Sequence, residues 1–99
     1  MKKMVFRNED VERVLMGIPK EHRHIRTIVE TKDVLFVLQE ATIAGIVRAY
    51  ITLKTHPTLD GVELVTRACE DRKRGYAKHQ LLESERVSAE VISELSRVL

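Results

Sequence analysis

The chain has 99 residues, 43% of them hydrophobic and 32% charged, with 17 Lys and Arg against 15 Asp and Glu and a formal net charge of +2. A chain of this size forms one domain at most and buries only roughly 60–70% of the surface its unfolded form exposes, so a thin core sits beneath a heavily charged skin. Near-neutral charge excludes a polyanion binder that works by bulk charge, a single cysteine excludes an internal disulfide, and no apolar run reaches the ~20 residues that span a bilayer.

The N-terminal MKKMVFRNED lacks the apolar stretch of a secretory signal. A cytoplasmic protein without membrane contact is therefore expected, and the single cysteine fits a reducing interior. Asn8 is the one asparagine, and Gln39 and Gln80 are the two glutamines. High charge with few amides is the drift of heat-adapted proteins.

In chain order, KMVFR (3–7) has the character of a short strand. Asn8 follows as an N-cap, with Glu9 and Asp10 in the first turn where the helix dipole favours acids. Val11, Val14, Leu15 and Ile18 then recur at i, i+3, i+4 and i+7, and Gly17 and Pro19 stop the run, which predicts an amphipathic helix over 8–18. IRTIVET (25–31) and VLFVLQ (34–39), separated by Lys32 and Asp33 alone, predict a β-hairpin. In the second strand Val34, Phe36 and Leu38 occupy one side and Leu35 and Val37 the other. A strand with no polar face is expected to be central and covered on both sides.

Residues 40–55 carry a helical stripe (Ile43, Ile46, Val47, Tyr50, Leu53) but also an alternating one (Val47, Ala49, Ile51, Leu53). Glu40 at the start, Lys54 at the end and Pro57 beyond favour a helix. Asp60-Gly61 marks a turn. VELVTRACE (62–70) and YAKHQLLE (76–83) read as strands around the turn DRKRG, and Ser84 is placed to cap a last helix whose Val87, Val91, Leu95 and Val98 share a face.

This is a single α+β domain over residues 1–99 with an antiparallel-rich sheet. Its order resembles the β-α-β-β-α-β arrangement of ferredoxin-like folds, followed by an extra strand and a C-terminal helix. Helices cover one face of such a sheet. The other side of strand 34–39 needs a cover too, and in a small chain a second copy supplies it, so a homodimer is expected.

Local charge singles out residues 70–82, with four bases against two acids, whereas residues 83–99 carry four acids against two bases. Within the first segment Arg74, Gly75, Tyr76 and Ala77 resemble the opening half of the RNP1 signature of RNA recognition motifs. Leu35-Phe36-Val37 resembles the start of the companion strand. The resemblance implies that the two strands lie side by side, that Tyr76 stacks on a base and that Arg72, Lys73, Arg74 and Lys78 neutralise phosphates. It covers half of the motif: Lys78 stands at the central stacking aromatic, His79 at a valine and Leu81 at the last aromatic. The simplest reading of the same residues is a plain turn and strand.

His22 and His24 are two residues apart, with His56, His79 and Cys69 elsewhere. None forms the tight pairs that mark zinc sites, so neither metal nor cofactor is expected. Cys69 alternates onto the face of Val65, as a buried inert thiol does. No nucleophile elbow, P-loop or zinc-protease motif occurs, and whether the chain is an enzyme stays open. Tyr76, Lys78 and Gln80 at i, i+2 and i+4 fall on one strand face, joined by Glu63 and Arg67 across the hairpin, a polar patch in which a tyrosine near a lysine can serve as a proton donor.

The sequence thus predicts a small cytoplasmic homo-oligomeric binding module using the basic hairpin 70–82. Arg72, Lys73, Arg74, Tyr76, Lys78 and His79 are its ligand-binding residues, for a small anionic ligand or a protein partner. Single-stranded RNA binding and a small enzyme with a Tyr/Lys/His site at the dimer interface are the alternatives.

Overall fold

The computed structural model describes residues 1–70 and 75–99. Two compact units form, Met1–Glu40 and Ala41–Leu99. A short 3-10 turn at Asn8–Asp10 precedes β1 (Val11–Gly17), β2 (Arg26–Thr31), β3 (Leu35–Gln39), α1 (Glu40–Thr55), β4 (Leu64–Ala68), β5 (His79–Glu83) and α2 (Ser88–Val98). The protein is α+β with antiparallel sheets, as expected, but the order is β-β-β-α-β-β-α and not the ferredoxin-like one. Residues 3–7 form no strand, and residues 8–18 form a turn and a strand where a helix was predicted.

The cause of that difference is local. Arg7, and not the expected Asn8, is the N-cap of a single turn: its backbone N–H donates to Asp10 Oδ2 at 2.8 Å, and the helix stops at Asp10. β1 then pairs with β2, with Val11 opposite Thr31 and Arg13 opposite Glu30, which leaves Glu12 as an extra, bulged residue. Beyond the bulge Val14 lies opposite Val29. Thr31 and Val29 are two apart on β2, so Val11 and Val14 share a face although they are three apart in sequence. The bulge gives Val11 and Val14 the three-residue spacing of a helix, while Leu15 falls on the opposite face.

The first unit's sheet has the order β1-β2-β3. The expectation of a middle strand at 34–39 is therefore corrected: β2 is central and β3 lies at an edge of this sheet. An apolar run cannot tell a doubly covered strand from an edge strand whose outer face is also apolar. One face, with Thr27 and Thr31 buried, Val29, Phe36 and Leu38 half-buried and Val14 and Met16 exposed at its β1 edge, is the inner one. The Phe6 ring meets Phe36 edge-on there, centroids 5.4 Å apart. The Lys32-Asp33 turn needs no glycine because Thr31 closes it. The Thr31 hydroxyl donates to the Val34 carbonyl at 2.9 Å and accepts the Val34 N–H at 3.0 Å. Glu40 Oε1 accepts the Ile25 N–H at 2.9 Å, fixing the end of β3 beside the start of β2.

In the second unit α1 runs the full predicted length, and β4 pairs antiparallel with β5 from Leu64–Glu83 to Ala68–His79. Gly45, buried on α1, lets the helix approach β5 so closely that a Cβ there would sit 2.9 Å from Leu81 Cβ. Gly61 does the same for α2, beside Ile92 and the Ser88 carbonyl. Ser84 does not cap the last helix, which begins at Ser88 after Val87. The Ser84 hydroxyl accepts the Arg86 N–H instead, at 3.2 Å, while the Ser88 hydroxyl donates to Asp60 Oδ1. Among the described residues no helix is long and apolar enough to cross a membrane.

Candidate functional site: a hairpin end and an uncovered sheet face

The β4–β5 ladder continues one step past its last register pair, with the Cys69 N–H donating to the Lys78 carbonyl at 2.7 Å. Beyond this point Arg72, Lys73 and Arg74 lie outside the described residues. The chain returns at Gly75 with φ +89°, a left-handed conformation that favours glycine. Tyr76, Ala77 and Lys78 occupy the turn before β5 and not the strand itself. The Gln80 side-chain amide donates to the Ala77 carbonyl at 3.1 Å and holds that turn against the strand.

Tyr76, Lys78 and His79 are exposed at this end of the hairpin. His79 lies opposite Ala68, on the face shared with Thr66 and Leu81. The expected alignment of Tyr76, Lys78 and Gln80 along one strand face does not form, since only Gln80 lies within β5. Arg67 is opposite Gln80, but Glu63 is committed elsewhere. Its carboxylate accepts from Arg86 Nη1 at 2.9 Å, and the same nitrogen donates to Glu94 at 2.8 Å. Arg86 Nε is also 3.7 Å from Glu90. The hydrogen bond from Arg86, aided by Ser84, lowers the Glu63 pKa, and the bonds to Glu63 and Glu94 raise that of Arg86.

The two RNP-like segments are not hydrogen-bonded neighbours in one sheet: β3 belongs to the three-stranded sheet and β5 to the two-stranded one. Cys69 is half-buried, its Sγ 3.9 Å from the Arg67 carbonyl. His24 lies 3.7 Å from Glu40 and His56 3.5 Å from the Thr58 hydroxyl. Among the described residues no three His, Cys, Asp or Glu side chains converge as a metal site.

A second surface includes the side of strand 34–39 that the sequence leaves in need of a cover. On the outer face of the first unit's sheet, Leu15, Ile28 and Val37 are register partners and form a row across all three strands. Leu15 is 47% exposed, Val37 60% and the neighbouring Leu35 53%. Arg13 and Glu30, paired at 3.2 Å, flank the row on one side. Arg26 flanks it on the other, between Gly17 and Gln39. On α1, Ile46, Val47, Tyr50 and Ile51 are likewise exposed. The two-faced apolar pattern of 34–39 was the available signal, but it pointed to a covered strand.

The chain is thus a small α+β protein with a basic hairpin and uncovered apolar faces. Comparison with protein-family models, with curated proteins and with solved structures finds no match to it.

Proposed function

We propose that this protein is a homo-oligomeric binding module, in which self-association covers apolar surface and the β4–β5 hairpin end engages the ligand. One observation carries the reading: among the described residues Ala49 is the one buried apolar side chain, while Leu15, Leu35, Val37, Ile46, Tyr50 and Ile51 remain exposed. A soluble chain that leaves so many large apolar groups in water gains by burying them against another molecule, at about 25 cal/mol per Å² of apolar area.

The ligand assigned to the hairpin is a small anion or an acidic segment of a protein partner. Lys78 and His79 are exposed beside Tyr76, and Arg72, Lys73 and Arg74 precede them in sequence. RNA is the weaker alternative, because a single aromatic residue at a turn offers no stacking platform across paired strands. The enzyme alternative lacks the shared strand face on which Tyr76 and Lys78 were to act.

The test is titration of 15N-labelled protein with inorganic phosphate, and separately with a short fluorescein-labelled single-stranded RNA. Saturable phosphate shifts at Tyr76, Lys78 and His79 that Lys78→Ala weakens several-fold are expected. RNA binding should be weak and indifferent to Tyr76→Ala. No shift with phosphate removes the small-anion assignment, and tight, Tyr76-dependent RNA binding replaces it.

A further inference from the structure

We infer that the outer face of the β1–β2–β3 sheet is the seat of a second copy of this chain, stacked face to face with β2 of each copy antiparallel to the other. The inference rests on the self-association reading above and assigns its surface and geometry.

The face is a grid of nine positions. Its middle row is Leu15–Ile28–Val37, its outer rows are Arg13–Glu30–Leu35 and Gly17–Arg26–Gln39. The middle row is apolar, with Leu15 and Val37 exposed and Ile28 half-buried. Along the central strand the same face reads Arg26, Ile28, Glu30, a cation and an anion each two residues from the centre. This pattern is complementary to itself. A twofold axis lying between the sheets, across the strands and through Ile28, sets Leu15, Ile28 and Val37 against the same residues of the second copy. It brings each Arg26 over the partner's Glu30.

The other simple twofold, along the strands, sets Arg26 over Arg26 and Glu30 over Glu30, and like charges facing each other oppose it. Charge therefore chooses between two arrangements that burial alone leaves equal. Stacked sheets lie about 10 Å apart, a gap that one Arg and one Glu side chain together can bridge. Glu30 already accepts from Arg13 within its own chain at 3.2 Å, so in the dimer each carboxylate stands between two guanidinium groups.

Area sets the strength. Strands about 4.8 Å apart and alternate residues nearly 7 Å apart make this grid much smaller than the ~800 Å² per partner of a standard interface. The contact belongs to the weak class, and dissociation is expected in the micromolar range.

The experiment uses two charge reversals in the full chain, with sedimentation equilibrium as the readout and far-ultraviolet circular dichroism as the check on folding. Arg26→Glu makes both positions acidic in every chain, and Glu30→Arg makes both basic. Each variant alone is expected to dissociate at least tenfold more readily than the unaltered protein, whereas an equimolar mixture regains dimer because each acidic position then meets a basic one. Val37→Asp, at an exposed position in the middle row, is expected to weaken the dimer at least tenfold with an unchanged spectrum, and it serves if a charge reversal disturbs folding. An unaltered protein that dimerises while all three variants match it overturns this face and leaves self-association standing. Folded variants that stay monomeric when mixed overturn the antiparallel charge pairing. A monomer at every concentration for the unaltered protein overturns both the inference and the reading on which it rests.

Discussion

Two threonines on the inner face of the first sheet show how differently one side chain can act. Thr31 Oγ1 makes two hydrogen bonds to Val34 and so builds the turn. Thr27 is 2% exposed, and its Oγ1 makes no hydrogen bond among the described residues. A buried unpaired hydroxyl costs about 1–3 kcal/mol, whereas a satisfied one contributes roughly 1 kcal/mol. Thr27→Val, which keeps the shape and the branch at Cβ, should therefore raise stability by about 1 kcal/mol, and Thr31→Val should lower it by about the same amount. Urea midpoints of the two variants measure this, and equal losses in both would contradict it.

The Glu63–Arg86 pair makes a prediction about acid. The Glu63 carboxyl lies below its ordinary value of 4.5 in the folded chain. Its contribution to stability is present above that ordinary value and is lost as pH falls through the lowered one. The stability difference between the unaltered protein and Glu63→Gln should be full at neutral pH and disappear in acid, as read by thermal melts along a pH series. A difference independent of pH would remove the charge-assisted bond from the account. Arg86, raised further above its ordinary value by its bonds to Glu63 and Glu94, adds nothing to pH dependence in the accessible range.

At the scale of elements, the extent to which the sequence could be read depended on whether the pattern and the neighbours told the same story. α1 was legible because Glu40, Lys54 and Pro57 mark its ends by mechanisms internal to a helix. The β2–β3 hairpin, β4, β5 and α2 were legible from composition and turns, with strand ends trimmed by a few residues. β1 was not, because the bulge at Glu12 brings residues three apart onto one face. The edge position of β3 was not, since no residue within a strand records which strands pair beside it. The candidate site was half legible: exposure of Tyr76, Lys78 and His79 follows from the turn, but the outer sheet face emerges only once register is known.

At Gly45 the packing of α1 on β5 can be tested by one substitution. Gly45→Ala raises helix propensity by up to ~1 kcal/mol. It also puts a methyl 2.9 Å from Leu81 Cβ, next to backbone that cannot rotate away, and overpacking of this kind costs about 1–3 kcal/mol. Packing should win, lowering the melting temperature by several degrees, at about 4–8 °C per kcal/mol for a domain of this size. A raised melting temperature in Gly45→Ala would show that α1 and β5 lie farther apart.

For the molecule as a whole, the apolar residues are enough for a core, but the chain by itself does not hide them. Val37 and Leu35 on the sheet and Tyr50 and Ile51 on α1 are exposed, the surface on which the proposed self-association rests. Among the described residues most of the charged groups lie on exposed surface, where water solvates them. The central claim is that the partner is another copy. Sedimentation equilibrium of the unaltered protein from low to several hundred micromolar tests it most directly. The weight-average mass should climb from near 11.4 kDa towards twice that value as concentration rises, and a mass that stays at the single-chain value across the whole range would contradict the account.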